Sequence, residues 1–227
     1  MTLRIVAMGF GAWVLAVGAA FAAPYPAMAP LAQYRSASDA DEIALARSAA
    51  PPSVSKDADV LILGAKGYDT AAKGTNGFVC IVERAWANDF GKDDFWNPKV
   101  RGPICFNPAS AKSVLPTYLT RTQWVLAGMS QDEMIVRTKA ALASGAITPP
   151  EPGAMCFMLS KGGYLSDTGG HWHPHLMFFA ARTAPSTWGA NLPGSPVQGG
   201  VSGTEPFTLF YVLLAKWSDG TPAEMKM

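Results

Sequence analysis

The three histidines of this chain lie within five consecutive positions, His171-Trp172-His173-Pro174-His175. Neutral imidazole is a good ligand for zinc, copper, nickel and iron, and short His-rich tracts are typical of metal-binding segments. In an extended chain, residues i, i+2 and i+4 point to one face, so the three imidazoles could converge. The cluster therefore predicts a mononuclear site for a divalent transition metal, with zinc as the first candidate and copper as the second.

The spacing of the histidines limits how many of them can bind one ion. Residues two apart on a strand have Cβ atoms about 6–7 Å apart, so we expect two histidines to bind and the third to support them. Asp167 is the acidic residue nearest in sequence and is the predicted further ligand, or the acceptor for an imidazole N–H. Glu83, at the end of a predicted strand, is a more distant candidate. Such a site would suit metal-assisted hydrolysis or hydration, with the metal activating water; no catalytic residue is assigned.

The alternative is a non-catalytic exported binding or scaffold protein whose histidine cluster is structural. Apolar residues flank the cluster, so the imidazoles could simply hydrogen-bond backbone groups in a partly buried turn. The aromatic loops and the uncharged segment 183–204 would then form a contact surface. The tryptophans of these segments are Trp86, Trp96, Trp172 and Trp188. Their burial would count against a contact surface.

Copper has a second possible ligand set. If residues 154–159 pair with residues 174–181 as a hairpin, Cys156, Met158 and His175 can share one face of the sheet. Soft sulfur together with imidazole is a copper-binding combination. Methionine at strand spacing is, however, more often part of a hydrophobic core.

Three cysteines are an odd number, so at least one is unpaired within a monomer. Cys80 lies in a predicted strand over residues 78–83, and Cys105 lies in a short apolar stretch. We therefore predict a Cys80–Cys105 disulfide, which leaves Cys156 as a free thiol that behaves as a small buried hydrophobe.

Residues 1–22 have the pattern of a signal peptide. Arg4 is the only charge, residues 5–21 are apolar or small, and Ala20-Phe21-Ala22 is a small-x-small cleavage pattern. A retained membrane anchor is the rival interpretation. Cleavage predicts a periplasmic or extracellular protein, with no membrane contact afterwards, in a compartment where disulfides persist.

The charge balance narrows the choice of partner. The chain has 18 basic and 17 acidic residues, and loss of Arg4 with the signal peptide would make the two counts equal. Nucleic-acid binders normally carry a basic excess, so this class is excluded and an unknown small molecule or protein remains as the expected partner.

Composition and element order predict the fold. With 227 residues, 49% hydrophobic and 15% charged, we expect an N-terminal arm and short helix over 23–58, one α+β domain over 59–222 and a tail over 223–227. Within the domain, strands over 59–84 form an antiparallel meander, and a central helical block broken at Pro116 follows. Further strands occupy 154–159, 175–181 and 207–215, and a long surface loop occupies 182–205. The predicted architecture is an antiparallel sheet with the helices packed on one face.

Overall fold

A computed structural model describes residues 24–87, 89–90, 92–201, 204–205 and 207–224. The predicted signal peptide, 1–22, lies outside them, as does most of the predicted tail. The fold is α+β, with one eight-stranded sheet in the order β2-β1-β3-β4-β5-β6-β8-β7. The strands are β1 (Asp59–Leu63), β2 (Tyr68–Ala72), β3 (Val79–Glu83), β4 (Gly102–Phe106), β5 (Met155–Met158), β6 (His175–Ala181), β7 (Val197–Val201) and β8 (Phe207–Leu213).

Five α-helices accompany the sheet within the described residues: α1 (Asp39–Arg47), α2 (Pro52–Ser55), α3 (Pro108–Ser113), α4 (Leu115–Leu126) and α5 (Gln131–Ala143). Their starts follow local chemistry. The Asn107 side chain caps α3 by accepting from the backbone N–H of Ser110, and Ser130 forms a capping box with Glu133 at α5. The predicted break in the helical block is confirmed, because α3 ends immediately before α4, whose first turn contains Pro116.

The sheet is mixed, which corrects the predicted antiparallel meander over 59–84. β1 and β3 are parallel neighbours, with Asp59 opposite Val79. β2 folds back along the outer edge of β1, so the chain must cross to the other side of β1 to form β3. The crossing segment passes so close to the chain before β1 that a Cβ on Gly74 would lie 2.1 Å from the Asp57 carbonyl oxygen. Only glycine fits at that crossing.

The prediction of helices on one face is confirmed only in part, because helices pack on both faces of the sheet. α1 packs against the face that carries Cys80, Val82 and Cys105. The helices α3 and α4 pack against the opposite face, which carries Ile81 and Ile104. The reason lies in the strands: β3 and β4 are apolar at successive positions, and such strands require cover on both sides.

The predicted surface loop over 182–205 contains regular structure. It forms a 3₁₀ helix, Pro185–Trp188, and then the edge strand β7. The Trp188 ring stacks on the Phe210 ring with centroids 4.3 Å apart. Gly199 allows β7 to approach, because a Cβ there would lie 2.8 Å from the Phe210 ring. The adjacent glycines that permit this packing also weaken the strand signal in the sequence.

The cysteine predictions are confirmed. Cys80 and Cys105 lie directly opposite each other on β3 and β4 and form a disulfide. Cys156 is free and buried, and desolvation raises the pKa of its thiol well above the usual value. Within the described part of the chain, no helix has the length and apolar character needed to cross a membrane.

Candidate functional site

The pairing of β5 with β6 brings the histidine segment onto the sheet. Met158 lies opposite His175, and Cys156 lies opposite Met177, so the two segments pair and place Cys156, Met158 and His175 on one face. On its other side, His175 faces Leu213 of β8. These side chains share the face on which α3 and α4 pack.

A cavity of about 410 Å³ lies on this face, next to α4. Its size falls within the range of small-molecule sites. Its walls come from β3, α4, β5, β6, β8, the segment after β3 and the segments before β6 and β8, and most of the exposed wall area is apolar. The wall residues are Glu83, Ala87, Asp89, Tyr118, Met158, Leu165, Trp172, His173, His175, Met177, Glu205, Phe207, Leu209, Tyr211 and Leu213.

Two of the four predicted metal ligands, His173 and His175, line this cavity; His171 and Asp167 do not. His171 is exposed, and its Nδ1 lies 2.5 Å from the Gly163 carbonyl oxygen. β6 begins only at His175, so the cluster precedes the strand instead of running along it.

Asp167 has partners other than an imidazole. Its carboxylate accepts hydrogen bonds from the hydroxyls of Tyr164 and Tyr25 and from Lys99 Nζ at 3.0 Å. These bonds hold the pKa of Asp167 well below its usual range. Among the described residues, no group of three or more His, Cys, Asp or Glu side chains is placed to hold one metal ion.

His175 is held in a defined tautomer. Its Nδ1 lies 2.7 Å from the His173 carbonyl oxygen. Because a carbonyl oxygen only accepts, Nδ1 must carry the proton, and in the neutral ring Nε2 is left with its lone pair. Burial lowers the pKa of His175, which favours this neutral form. The ring also makes edge contacts with Trp172 and Tyr211.

Glu83 contributes a carboxyl group to the opposite wall. It ends β3 directly opposite Gly102 of β4, and a Cβ on that glycine would lie 2.3 Å from the Glu83 side chain. The missing side chain at Gly102 therefore provides the room that Glu83 occupies. Desolvation raises the pKa of Glu83 to about 8, against the opposing effect of Arg121 and Arg84. The carboxyl group is therefore mostly protonated at neutral pH.

Sequence reasoning named Glu83 as a distant ligand candidate but missed the residues of α4. Tyr118 lines the cavity, and burial raises the pKa of its hydroxyl well above the usual value. Arg121 forms an ion pair with Glu205, with Nη2 and Oε1 2.5 Å apart. A signal was present, since Arg121 interrupts an otherwise mainly uncharged helix, but nothing in the sequence connects it to Glu205.

The tryptophans divide between core and surface. Trp86 and Trp172 are buried, Trp96 is half-buried and Trp188 is 47% exposed. This counts against a contact surface built from all four indoles. The Trp172 ring lines the cavity, and its Nε1–H is buried with no hydrogen-bond acceptor among the described residues. An unsatisfied buried donor of this kind costs about 1–3 kcal/mol.

Comparison with known proteins identifies no relative: no family model, no curated protein and no solved structure matches this chain.

Proposed function

We propose that this protein binds a small, predominantly apolar molecule in the cavity beside α4. The observation that carries the proposal is the cavity itself: about 410 Å³, with mainly apolar walls and a few polar groups among them. Ligand sites in proteins typically combine an apolar enclosure with a small number of placed polar groups.

A neutral fluorescent probe, N-phenylnaphthylamine, tests the proposal. We expect its emission to rise on saturable binding to the wild-type protein. Leu209→Trp should reduce this binding, because the larger side chain fills the cavity that Leu209 lines. Leu213→Trp, at a position 38% exposed, is the second variant, since it obstructs the cavity with less demand on the core.

Val136→Trp is the matched control, because Val136 is 66% exposed on α5 and does not line the cavity. Binding that is absent from the wild-type protein, or equal in all four proteins, would overturn the proposal. Thermal unfolding of each variant confirms that a loss of binding is not a loss of folding.

Metal binding at His173 and His175 is the second candidate function. The observation that favours it is the tautomer of His175: an imidazole whose Nδ1–H donates to a backbone carbonyl presents Nε2 as a metal ligand. Met158, opposite His175, is a soft further donor that would suit copper. With an open position, such a site would carry metal-assisted hydrolysis or hydration.

Metal content measured by mass spectrometry tests this second candidate. The purified protein is loaded with zinc or copper, and the His173→Ala/His175→Ala double variant is compared with His171→Ala as control. We expect the double variant to lose the metal and the control to retain it. Absence of metal from the wild-type protein, or equal content in all three, would exclude the site.

We also propose that the protein is exported. The signal-like pattern of residues 1–22 and the Cys80–Cys105 disulfide both support an oxidising compartment outside the cytosol. Expression of the full chain with N-terminal sequencing tests this: we expect a mature protein that begins at Ala23, and recovery of the intact chain in the membrane fraction would favour a retained anchor.

A further inference from the structure

We propose that the cavity selects organic cations, molecules with an apolar body and one ammonium group. The inference rests on the proposed ligand-binding function and names the chemical class of the ligand. Among the residues that the structure describes, Glu83, Asp89 and Glu205 place carboxyl groups in the walls, whereas no lysine or arginine side chain lines the cavity. An anionic ligand would meet carboxyl groups and no basic side chain of the walls, whereas a cation would meet complementary charge once Glu83 has released its proton.

The two arginines whose charges act on the pKa of Glu83 are already paired with other carboxylates. Arg121 binds Glu205 with Nη2 and Oε1 2.5 Å apart, and Arg84 binds Glu42 at the same distance. Glu83 itself has no ion-pair partner among the described residues. Of the two wall carboxyls without an ion pair in this part of the chain, Asp89 is exposed and Glu83 is half-buried, so Glu83 is the one that a cationic ligand inside the cavity can pair with.

Aromatic rings provide the second part of the recognition. Tyr118, Trp172, Phe207 and Tyr211 all line the cavity. The negative face of an aromatic ring attracts a cation within about 6 Å, and the attraction is stronger when the contact is shielded from water. Carboxyl groups combined with rings in an apolar enclosure favour a quaternary or alkylated ammonium group over a small, strongly hydrated ion.

Cation binding requires Glu83 to release its proton. A positive charge beside the carboxyl group lowers its pKa, so the affinity for a cation should rise about tenfold per pH unit until the pH passes about 8. Other ionisable groups surround Glu83 and also affect this dependence. They are Arg84 beyond β3, Tyr118 and Arg121 on α4, Cys156 on β5, Tyr68 on β2, and Asp89, His173, His175 and Glu205 in the cavity walls.

Two probes of the same shape isolate the effect of charge. Benzyltrimethylammonium and neopentylbenzene differ by a positive nitrogen in place of a carbon, and hydrocinnamate is an anionic comparison. By calorimetry at a pH above 8, we expect the cation to bind at least about tenfold more tightly than the neutral isostere. Hydrocinnamate should bind most weakly.

The Glu83→Gln variant assigns the effect to this carboxyl. We expect it to lose about tenfold in affinity for the cation, to keep its affinity for neopentylbenzene, and to lose the dependence on pH. Gly102→Ala is the second variant, because its new Cβ displaces the Glu83 side chain and should weaken cation binding in the same direction. Glu151→Gln, a glutamate outside the cavity, is the control and should bind like the wild type.

The outcomes separate this inference from the proposed function. Equal affinity for cation and neutral isostere, or no effect of Glu83→Gln, overturns cation selectivity while N-phenylnaphthylamine binding still supports the cavity as a ligand site. Tightest binding of hydrocinnamate overturns it as well. If neither the neutral probes nor the cation bind, both proposals fail.

Discussion

At the scale of single residues, Glu83 makes stability depend on pH. Its pKa is 4.5 in the unfolded chain and about 8 in the folded protein. Between these values the folded state holds a proton that the unfolded state has released, so stability falls as pH rises, by up to about 1.4 kcal/mol per pH unit. Glu83→Gln cannot release a proton. We therefore expect the stability difference between this variant and wild type to increase from pH 4.5 to 8 in favour of the variant, and to stay constant above pH 8.

Urea unfolding at a series of pH values measures this gain. The control is Glu151→Gln, whose carboxyl forms an exposed ion pair with Lys112. Surface pairs of this kind contribute at most about 1 kcal/mol, so the control curve should stay close to wild type. If the Glu83→Gln and wild-type curves run parallel, Glu83 is not protonated in the folded protein.

At the scale of secondary-structure elements, the disulfide joins two strands that are buried on both faces. Cys80 and Cys105 are 25 residues apart, and closing a loop of that length constrains the unfolded chain by about 3.5 kcal/mol in the chain-entropy model. We expect the Cys80→Ser/Cys105→Ser double variant to lose about that much stability in urea unfolding. A reducing agent should destabilise the wild type similarly and leave the double variant unchanged; a reductant effect on the variant would point to a different cause.

The elements also show what the sequence could and could not predict. The Cys80–Cys105 pair and the shared face of Cys156, Met158 and His175 followed from short apolar strands, because period-two alternation determines which side chains share a face. The parallel pairing of β1 with β3 could not be predicted, since it depends on a tight crossing at Gly74 that is visible only in three dimensions. β7 was not predicted because it contains two adjacent glycines, a residue type with low strand propensity. Gly199 is needed there because a larger side chain would collide with the Phe210 ring.

The candidate site was only half predictable for the same reason. His173 and His175 stand out in the sequence by their clustering. The environment of Glu83, in contrast, depends on Gly102 lying opposite it and on α4 packing over the same face. These contacts join residues that are far apart in the chain. The residue type at each position does not indicate which distant residue it will contact.

At the scale of the whole molecule, a buried ion pair links the N-terminal segment, which includes Tyr34 and α1, to the sheet. The Arg84 guanidinium is fully buried; it donates to Glu42 of α1 at 2.5 Å and to the Tyr34 carbonyl oxygen at 2.6 Å. The Ser36 hydroxyl donates to the same carboxylate. Removing one partner of such a pair leaves an uncompensated buried charge and costs about 3–5 kcal/mol. Glu42→Gln should therefore destabilise the entire fold by about that amount in urea unfolding.

The matched apolar replacement decides whether the pair stabilises the fold or mainly determines how α1 docks. Glu42→Leu/Arg84→Met removes both charges, and buried ion pairs replaced in this way often lose no stability. We expect the double variant to recover most of what Glu42→Gln loses, while faster amide hydrogen exchange in α1 reports a looser attachment to β3. A double variant as unstable as Glu42→Gln, with unchanged exchange in α1, would show that the apolar pair cannot replace the ion pair and that the ion pair does not determine how α1 docks.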